Sequence, residues 1–200
     1  IRKKRFASQQ KLIESLLEHK PSIKILDIGG ELDFWRHMGW NNDRCTIYLL
    51  NLEDRTPTNA PDTNGFVWVT GNALALPYQP GEFDLIFSNS VIEHLYTLEN
   101  QQKMASEICR VGKSHFIQTP NAYFPIEAHY ALPFAQYYPK ALLHFILTKT
   151  KLSRFKRWNP AEASQYQEEI RLLTKSEMKA LFPGSTLLKE KVLGLTKSFT

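Results

Sequence analysis

The chain has 200 residues, of which 42% are hydrophobic, and this is enough apolar side chain to bury the core of one compact domain. Its formal net charge of +5 is a modest basic excess, which does not by itself indicate a nucleic-acid-binding protein. Two cysteines, Cys45 and Cys109, lack CxxC spacing, which argues against a zinc site or a disulfide scaffold. No apolar run is long enough to span a bilayer and the first residues lack the apolar core of a signal peptide, so we expect a cytoplasmic protein.

The first predicted element is a helix within residues 1–20 that ends before Pro21 and carries Phe6, Ile13, Leu16 and Leu17 on one side. Short apolar runs then recur, each bounded by turn residues and too continuous for a half-exposed antiparallel strand. These runs are IKILDI, TIYLLN, GFVWVT, FDLIFS and HFIQT. Helical spacing over residues 98–111 fits the crossover connection that parallel strands need. We therefore predict an α/β fold with a twisted parallel sheet.

The character of the chain changes after Asn121. Aromatic residues punctuated by prolines predict an insertion or cap over residues 122–160. A helix start follows, in which Thr174 and Glu177 have capping-box spacing, and the chain closes as two strands around Gly194. Residues 53–65, between the second and third runs, are rich in Pro, Asn and Asp and predict a loop or a single turn in place of a normal helix.

Two basic clusters stand out, one at residues 2–5 and one at residues 149–157. We expect both clusters to be solvated, with residues 149–157 on a helix face and residues 2–5 at the chain terminus. The alternative is a site for an anionic lipid, a nucleic acid or a phosphorylated substrate.

The turn after the first apolar run is the most informative motif. Asp27 ends this run, Gly29 and Gly30 follow, and Glu31 and Asp33 stand where further glycines are usual in a dinucleotide site. In an open parallel sheet such a turn forms the floor of the ligand crevice. Two like charges about 4 Å apart cost on the order of 4 kcal/mol at an effective dielectric near 20, so the acids disfavour the pyrophosphate of NAD. S-adenosylmethionine has no phosphate and carries a sulfonium and an ammonium group, so it suits this turn.

Four stretches together resemble the class I S-adenosylmethionine-dependent methyltransferases of the small-molecule type, the methyltransferase type 11 group. They are ILDIGGELDFW, LLNLE, GNALALPYQPGEFDLIFSNSVIEHL and HFIQTPN, in the order and spacing of that family. The resemblance implies a Rossmann-like fold in one domain over residues 1–200. It further implies a mainly parallel sheet with a C-terminal antiparallel hairpin, and a cap after the fifth strand.

The resemblance also implies a set of residues that bind S-adenosylmethionine. The methionine half would be lined by Asp27, Ile28, Gly29 and Gly30, the ribose by Asn51, Leu52 and Glu53, the adenine by Asn72, Ala73 and Leu74, and the floor under the methyl group by Asn89 and Ser90. The chain departs from the family at three places. The glycine turn has acids where the family has further glycines, and Asn51 and Asn72 stand where the family usually has an acid. Asp27 could instead cap a helix, and Asn72 could be a turn residue.

His129 is the first candidate for a catalytic base, since the resemblance implies that it lies over the methyl group and its ordinary pKa suits neutral pH. His94 and Glu127 are weaker candidates, and no metal is expected. Each histidine could instead have a structural role. The implied activity is methyl transfer to a small molecule, such as a hydroxyl of an aromatic, sugar or lipid-linked acceptor. The alternatives are a catalytically inactive binding module and a peripheral membrane protein that uses residues 141–158, and nucleic acid is not an expected partner.

Overall fold

The computed structural model describes residues 2–40, 42–56 and 64–200, with the side chains of residues 2–4 outside this description. The chain forms two compact units. The first comprises Ile1–Val91 and Gln102–Gln118, and the second comprises Ile92–Gln101 and Thr119–Thr200. The single domain over residues 1–200 stays a prediction.

The described residues of the first unit form five parallel strands, and this confirms the predicted sheet. They are β1 (Ile23–Ile28), β2 (Cys45–Asn51), β3 (Phe66–Thr70), β4 (Leu85–Asn89) and β5 (His115–Pro120). The last strand, β5, belongs to this unit only as far as Gln118. Their order is β3-β2-β1-β4-β5. Strand order therefore reverses between β1 and β4, and this is where ligands bind in open α/β sheets. The expectation that every strand is fully buried was wrong for β3, because it is the edge strand and its residues are half-buried or exposed.

In the part of this unit that the structure describes, the helices α1 (Arg2–Leu17) and α2 (Leu32–His37) pack on the sheet. Helix α1 confirms the predicted first helix and buries Phe6, Ile13 and Leu17, whereas Leu16 is only half-buried at the edge of this face. Helix α2 buries Leu32 and Trp35. These side chains join one apolar cluster with residues of β1, β2 and β4. The loop predicted over residues 53–65 falls partly on residues 57–63, which lie outside the described part of the chain.

Helix α3 (Leu98–Val111) begins in the second unit and continues in the first, at the predicted position. In the second unit, the last two residues of β5 pair antiparallel with β9 (Leu195–Phe199), which pairs with β8 (Lys189–Val192). This confirms the C-terminal hairpin.

The segment predicted as a cap contains a short hairpin, β6 (Ile126–Glu127) and β7 (Leu132–Pro133), followed by α4 (Lys140–Lys149) and the start of α5 (Pro160–Glu169). Tyr130, Leu143, Leu147 and Trp158 form its apolar core. Helix α6 (Lys175–Leu181) begins at the predicted capping box of Thr174. Among the described residues, no helix has both the length and the apolar character needed to cross a membrane.

Candidate active site

The turn after β1 is held in a conformation that requires its two glycines. Gly29 has φ +72°, and its N–H donates to the Leu50 carbonyl at 2.8 Å. A Cβ atom on Gly29 would lie 2.5 Å from the Val91 side chain, and one on Gly30 would lie 2.5 Å from the Asp27 carboxyl. The Asn51 amide donates to the Gly30 carbonyl at 2.8 Å and fixes the far side of the turn. Substitution of either glycine would therefore disturb the fold as well as any ligand.

Asp27 is a buried carboxyl at the end of β1, only 2% exposed. The indole N–H of Trp35 donates to its Oδ2 at 2.7 Å. Burial raises the pKa of Asp27 to about 8, and the nearby charge of Glu31 adds to this effect, although the Trp35 hydrogen bond opposes it. The carboxyl is thus mostly protonated at neutral pH, and a cationic group placed beside it would favour its ionised form.

A cavity of about 580 Å³ opens at this edge of the sheet, a size suited to a small-molecule cofactor. Its walls combine the glycine turn, two aromatic rings and several acids. The lining residues are Asp27, Gly29, Gly30, Glu31, Asp33, Phe34, His37, Met38, Phe87 and Asn89. The structure therefore places Asp27, Gly29, Gly30 and Asn89, which were predicted from the sequence, around one cavity.

Two arginines near this cavity were missed by the sequence analysis. Arg55 pairs with Glu31 at 2.6 Å, so part of the negative charge at the turn is compensated, although both side chains are exposed. Arg5 donates to the Asn89 and Gln118 side chains, to the latter at 2.8 Å. Arg5 directly precedes the buried Phe6 in α1, but the sequence analysis assigned it to a solvated terminal cluster.

Ser90 is a residue with left-handed backbone geometry, at φ +60°. Its hydroxyl donates to the Gln118 side chain at 2.8 Å, and its N–H donates to the Gln118 carbonyl at 3.0 Å. Together, Arg5, Asn89, Ser90 and Gln118 form a hydrogen-bonded group after β4.

The remaining predicted cofactor residues have different surroundings. Ile28 is buried, Leu52 and Glu53 are exposed, and Asn51 braces the glycine turn. Asn72 accepts from the Leu74 N–H at 2.9 Å, which is the geometry of a turn residue, and Ala73 is buried. The hydrogen bond from Leu74 supports the role of Asn72 as a turn residue. The contact of Asn72 with adenine stays a prediction.

The three predicted acid-base residues lie in the second unit, where the two histidines face each other. The rings of His94 and His129 have centroids 4.9 Å apart and are nearly perpendicular. Nδ1 of His129 lies 2.7 Å from the Glu127 carboxylate, and Nδ1 of His94 lies 2.5 Å from that of Glu169. Each imidazole thus has one nitrogen held by a carboxylate, which leaves Nε2 for another partner.

Glu127 and Glu93 are the buried acids of this histidine group. The Tyr130 N–H donates to the second oxygen of Glu127 at 2.8 Å, and the Thr119 hydroxyl donates to Glu93 at 3.0 Å. Burial lowers the pKa of His94, and the neighbouring His129 lowers it further, although Glu169 and Glu127 oppose this.

A possible metal-ligand atom is offered by each of Glu93, His94 and His129, and these three atoms lie within 4.8 Å of one another. Carboxylate oxygens and imidazole nitrogens are atoms that zinc accepts as ligands. These three residues could therefore hold a metal ion. The expectation that the protein uses none stays a prediction.

The comparisons with known proteins agree with this architecture. Residues 35–115 match the family model described as a methyltransferase domain. A SAM-dependent methyltransferase from Methanosarcina mazei is 13% identical with a TM-score of 0.50, and the match covers 90% of each chain. The chain has a class I methyltransferase fold.

Further solved structures are similar to this methyltransferase fold at low sequence identity. The YcgJ protein from Bacillus subtilis is 14% identical with a TM-score of 0.48, over 89% of this chain and 68% of that one. A SAM-dependent methyltransferase from Aquifex aeolicus is 14% identical with a TM-score of 0.39, over 68% of this chain and 77% of that one. Among curated proteins no sequence match was found.

Proposed function

We propose that the protein is an S-adenosylmethionine-dependent methyltransferase that acts on a small-molecule acceptor. The observation that carries this proposal is the buried acid Asp27 beside a close glycine turn, in a cavity at the edge of a methyltransferase fold. A cytoplasmic location remains part of the proposal. The acceptor is proposed only as a class, namely a hydroxyl on an aromatic, sugar or lipid-linked molecule.

The charges around the cavity fit the two ends of an amino acid. Asp27 would accept hydrogen bonds from the ammonium group of S-adenosylmethionine, and its neighbours Glu31 and Asp33 favour a cation over a phosphate. Arg5, fixed beside Asn89, is a planar donor suited to the cofactor carboxylate. Glu53 is the exposed acid that would hold the ribose hydroxyls. When bound, the cofactor supplies a methyl group activated by a sulfonium.

His129 is proposed as the general base for the acceptor hydroxyl. If its Nδ1–H donates to Glu127, its Nε2 has a free lone pair that can take a proton. The Glu127 carboxylate would then stabilise the imidazolium that forms, and the Tyr130 N–H fixes that carboxylate. Glu127 therefore acts as a positioning residue. His94 and its partner Glu169 are a second pair of the same kind.

Calorimetry with S-adenosylmethionine and S-adenosylhomocysteine tests the cofactor. We expect both to bind, NAD not to bind, and Asp27→Asn to weaken binding. Asp43→Asn is the matched control, because Asp43 is an exposed acid in the turn before β2 and does not line the cavity. Binding of NAD without binding of either sulfur compound would contradict the proposal.

Formation of S-adenosylhomocysteine with a panel of phenols, sugars and nucleotide sugars then tests catalysis. Once an acceptor is found, His129→Gln should lower kcat by about 100-fold or more with unchanged cofactor affinity. His19→Gln, at an exposed histidine after α1, should leave kcat unchanged. Cofactor binding without turnover on any acceptor would favour an inactive binding module.

A further inference from the structure

The segment from Lys140 to Arg157, here called the basic apolar surface, combines strong positive charge with exposed apolar side chains. No acidic residue occurs in the sequence between Glu127 and Glu162. Its cations are Lys140, Lys149, Lys151, Arg154, Lys156 and Arg157. Lys156 pairs with Glu162 at 3.2 Å across an exposed contact, which weakly offsets one charge. The surface therefore has a strongly positive local charge, well beyond what the modest charge of the whole chain suggests.

Helix α4 has apolar residues on two faces. Leu143 and Leu147 are buried in the core of the second unit. Leu142 and Phe145 lie on a different face and remain 47% and 58% exposed. Lys149 follows Phe145 one turn later on that face. The outward face of α4 therefore carries apolar side chains that the described structure does not cover, next to a cation.

The loop after α4 extends the same character. Leu152 is 68% exposed and Phe155 is 92% exposed. Arg154 and Phe155 have φ values of +48° and +57°, a left-handed conformation that is strained for residues other than glycine. The loop is nevertheless anchored, because the buried Ser153 hydroxyl donates to the Tyr130 carbonyl at 2.7 Å and accepts from the Trp158 indole at 2.9 Å. The fold thus holds Phe155 outward in a defined loop.

We propose that the basic apolar surface docks on a bilayer containing anionic phospholipid. Leucine and phenylalanine side chains among lysines and arginines match the boundary between acyl chains and acidic headgroups. A second copy of the chain would bring like charges together, and a nucleic acid would leave Leu142 and Leu152 without a partner. The inference goes beyond the proposed methyl transfer and does not depend on it. Docking of this kind would give the protein access to lipid-linked molecules.

Co-sedimentation with phosphatidylcholine vesicles, with and without phosphatidylglycerol, tests the proposal. We expect binding only when phosphatidylglycerol is present, and weaker binding as salt rises. The double variant Leu152→Ser, Phe155→Ser should bind at least about tenfold more weakly, because each side chain loses its apolar burial. Leu193→Ser is the matched control, since Leu193 is 98% exposed in the turn between β8 and β9.

A charge reversal gives an independent measurement. Lys151→Glu should weaken binding by about 5-fold or more, because each cation near an anionic surface contributes about 1 kcal/mol. Lys175→Glu makes the same charge change at an exposed position of α6 and should have a smaller effect. All four variants change exposed side chains, so circular dichroism and cofactor affinity should be unaltered.

Three results would overturn the proposal. The first is equal binding to both kinds of vesicle, the second is an equal loss in the control variants, and the third is no vesicle binding at low salt. Binding of single-stranded RNA in place of vesicles would assign the surface to nucleic acid.

Discussion

The affinity for S-adenosylmethionine should rise with pH, because the ammonium group of the cofactor pairs with the ionised form of Asp27. With a pKa of about 8, the carboxyl is ionised in about 1% of molecules at pH 6 and in about 24% at pH 7.5. Kd should therefore fall by about 20-fold across this range. The series stops at pH 7.5, because an α-amino group begins to lose its own proton near pH 7.7–8.0.

Calorimetry at each pH, in two buffers of different ionisation enthalpy, measures both Kd and the protons released on binding. We expect nearly one proton to be released at pH 6. In Asp27→Asn, Kd should be higher and almost independent of pH, because the amide keeps the acceptor for Trp35 but has no charge. Asp43→Asn should keep the pH dependence of the natural chain. A constant Kd for the natural chain, or no proton release, would refute the coupling between Asp27 and the cofactor.

The same carboxyl affects stability with a definite sign. Because the folded pKa of Asp27 is raised, the folded state binds more protons than the unfolded state between about pH 4 and pH 8. This contribution to the free energy of unfolding falls by about 1.4 kcal/mol per pH unit over that window. Urea titrations should show Asp27→Asn to be more stable than the natural chain at pH 7, with a smaller difference at pH 5. Equal stability at both values would contradict the raised pKa.

Four further substitutions have defined outcomes. Arg5→Lys should raise the Kd for S-adenosylmethionine by about tenfold in calorimetry with unchanged Tm, because an ammonium group cannot reproduce the guanidinium fork. Glu127→Gln should lower kcat by about tenfold with unchanged cofactor affinity, because an amide cannot stabilise an imidazolium by charge. Asp84→Asn should lower the free energy of unfolding in urea by about 1–3 kcal/mol at pH 7, because the carboxylate accepts from Lys20, Lys113 and a backbone N–H. Burial alone would raise the pKa of Asp84, but these contacts hold it below its ordinary value, so its stabilisation is present above about pH 4 and lost on acidification. Gln9→Met should stabilise the fold by about 1 kcal/mol in the same assay, because the buried Gln9 amide has no hydrogen-bond partner among the described residues.

The sheet and the glycine turn could be predicted because their signals are local. Buried parallel strands have continuous apolar runs, and a turn that needs φ +72° selects glycine, as at Gly29. Asp27 was recognisable because an acid near the end of a buried strand is rare unless it has a role. The exposed edge strand β3 was not recognisable, because its run FVWVT is as apolar as the central ones and only its place in the sheet sets its burial.

The contacts within each group of candidate residues mostly join residues far apart in the chain. Arg5 meets Asn89 and Gln118 only after α1 has packed on the sheet. The pairing of His94 with Glu169 joins the short turn before α3 to the end of α5. The pairing of Glu127 with His129 is the exception, because the two residues are neighbours in sequence and their short spacing was visible. Sequence patterns identified the candidate groups, whereas their partners required the folded chain.

The hydrogen bond between Trp35 and Asp27 gives the protein an intrinsic optical probe. An indole that donates to a carboxyl experiences a different electric field when that carboxyl ionises, and the Trp35 ring is fully buried, so bulk water does not mask the change. Its fluorescence should shift as the pH passes through about 8, and again when a cation arrives in the cavity. Trp40 lies 5.1 Å away, centroid to centroid, and would share the excitation. Ligand screening could therefore be carried out by emission spectroscopy on the unlabelled chain.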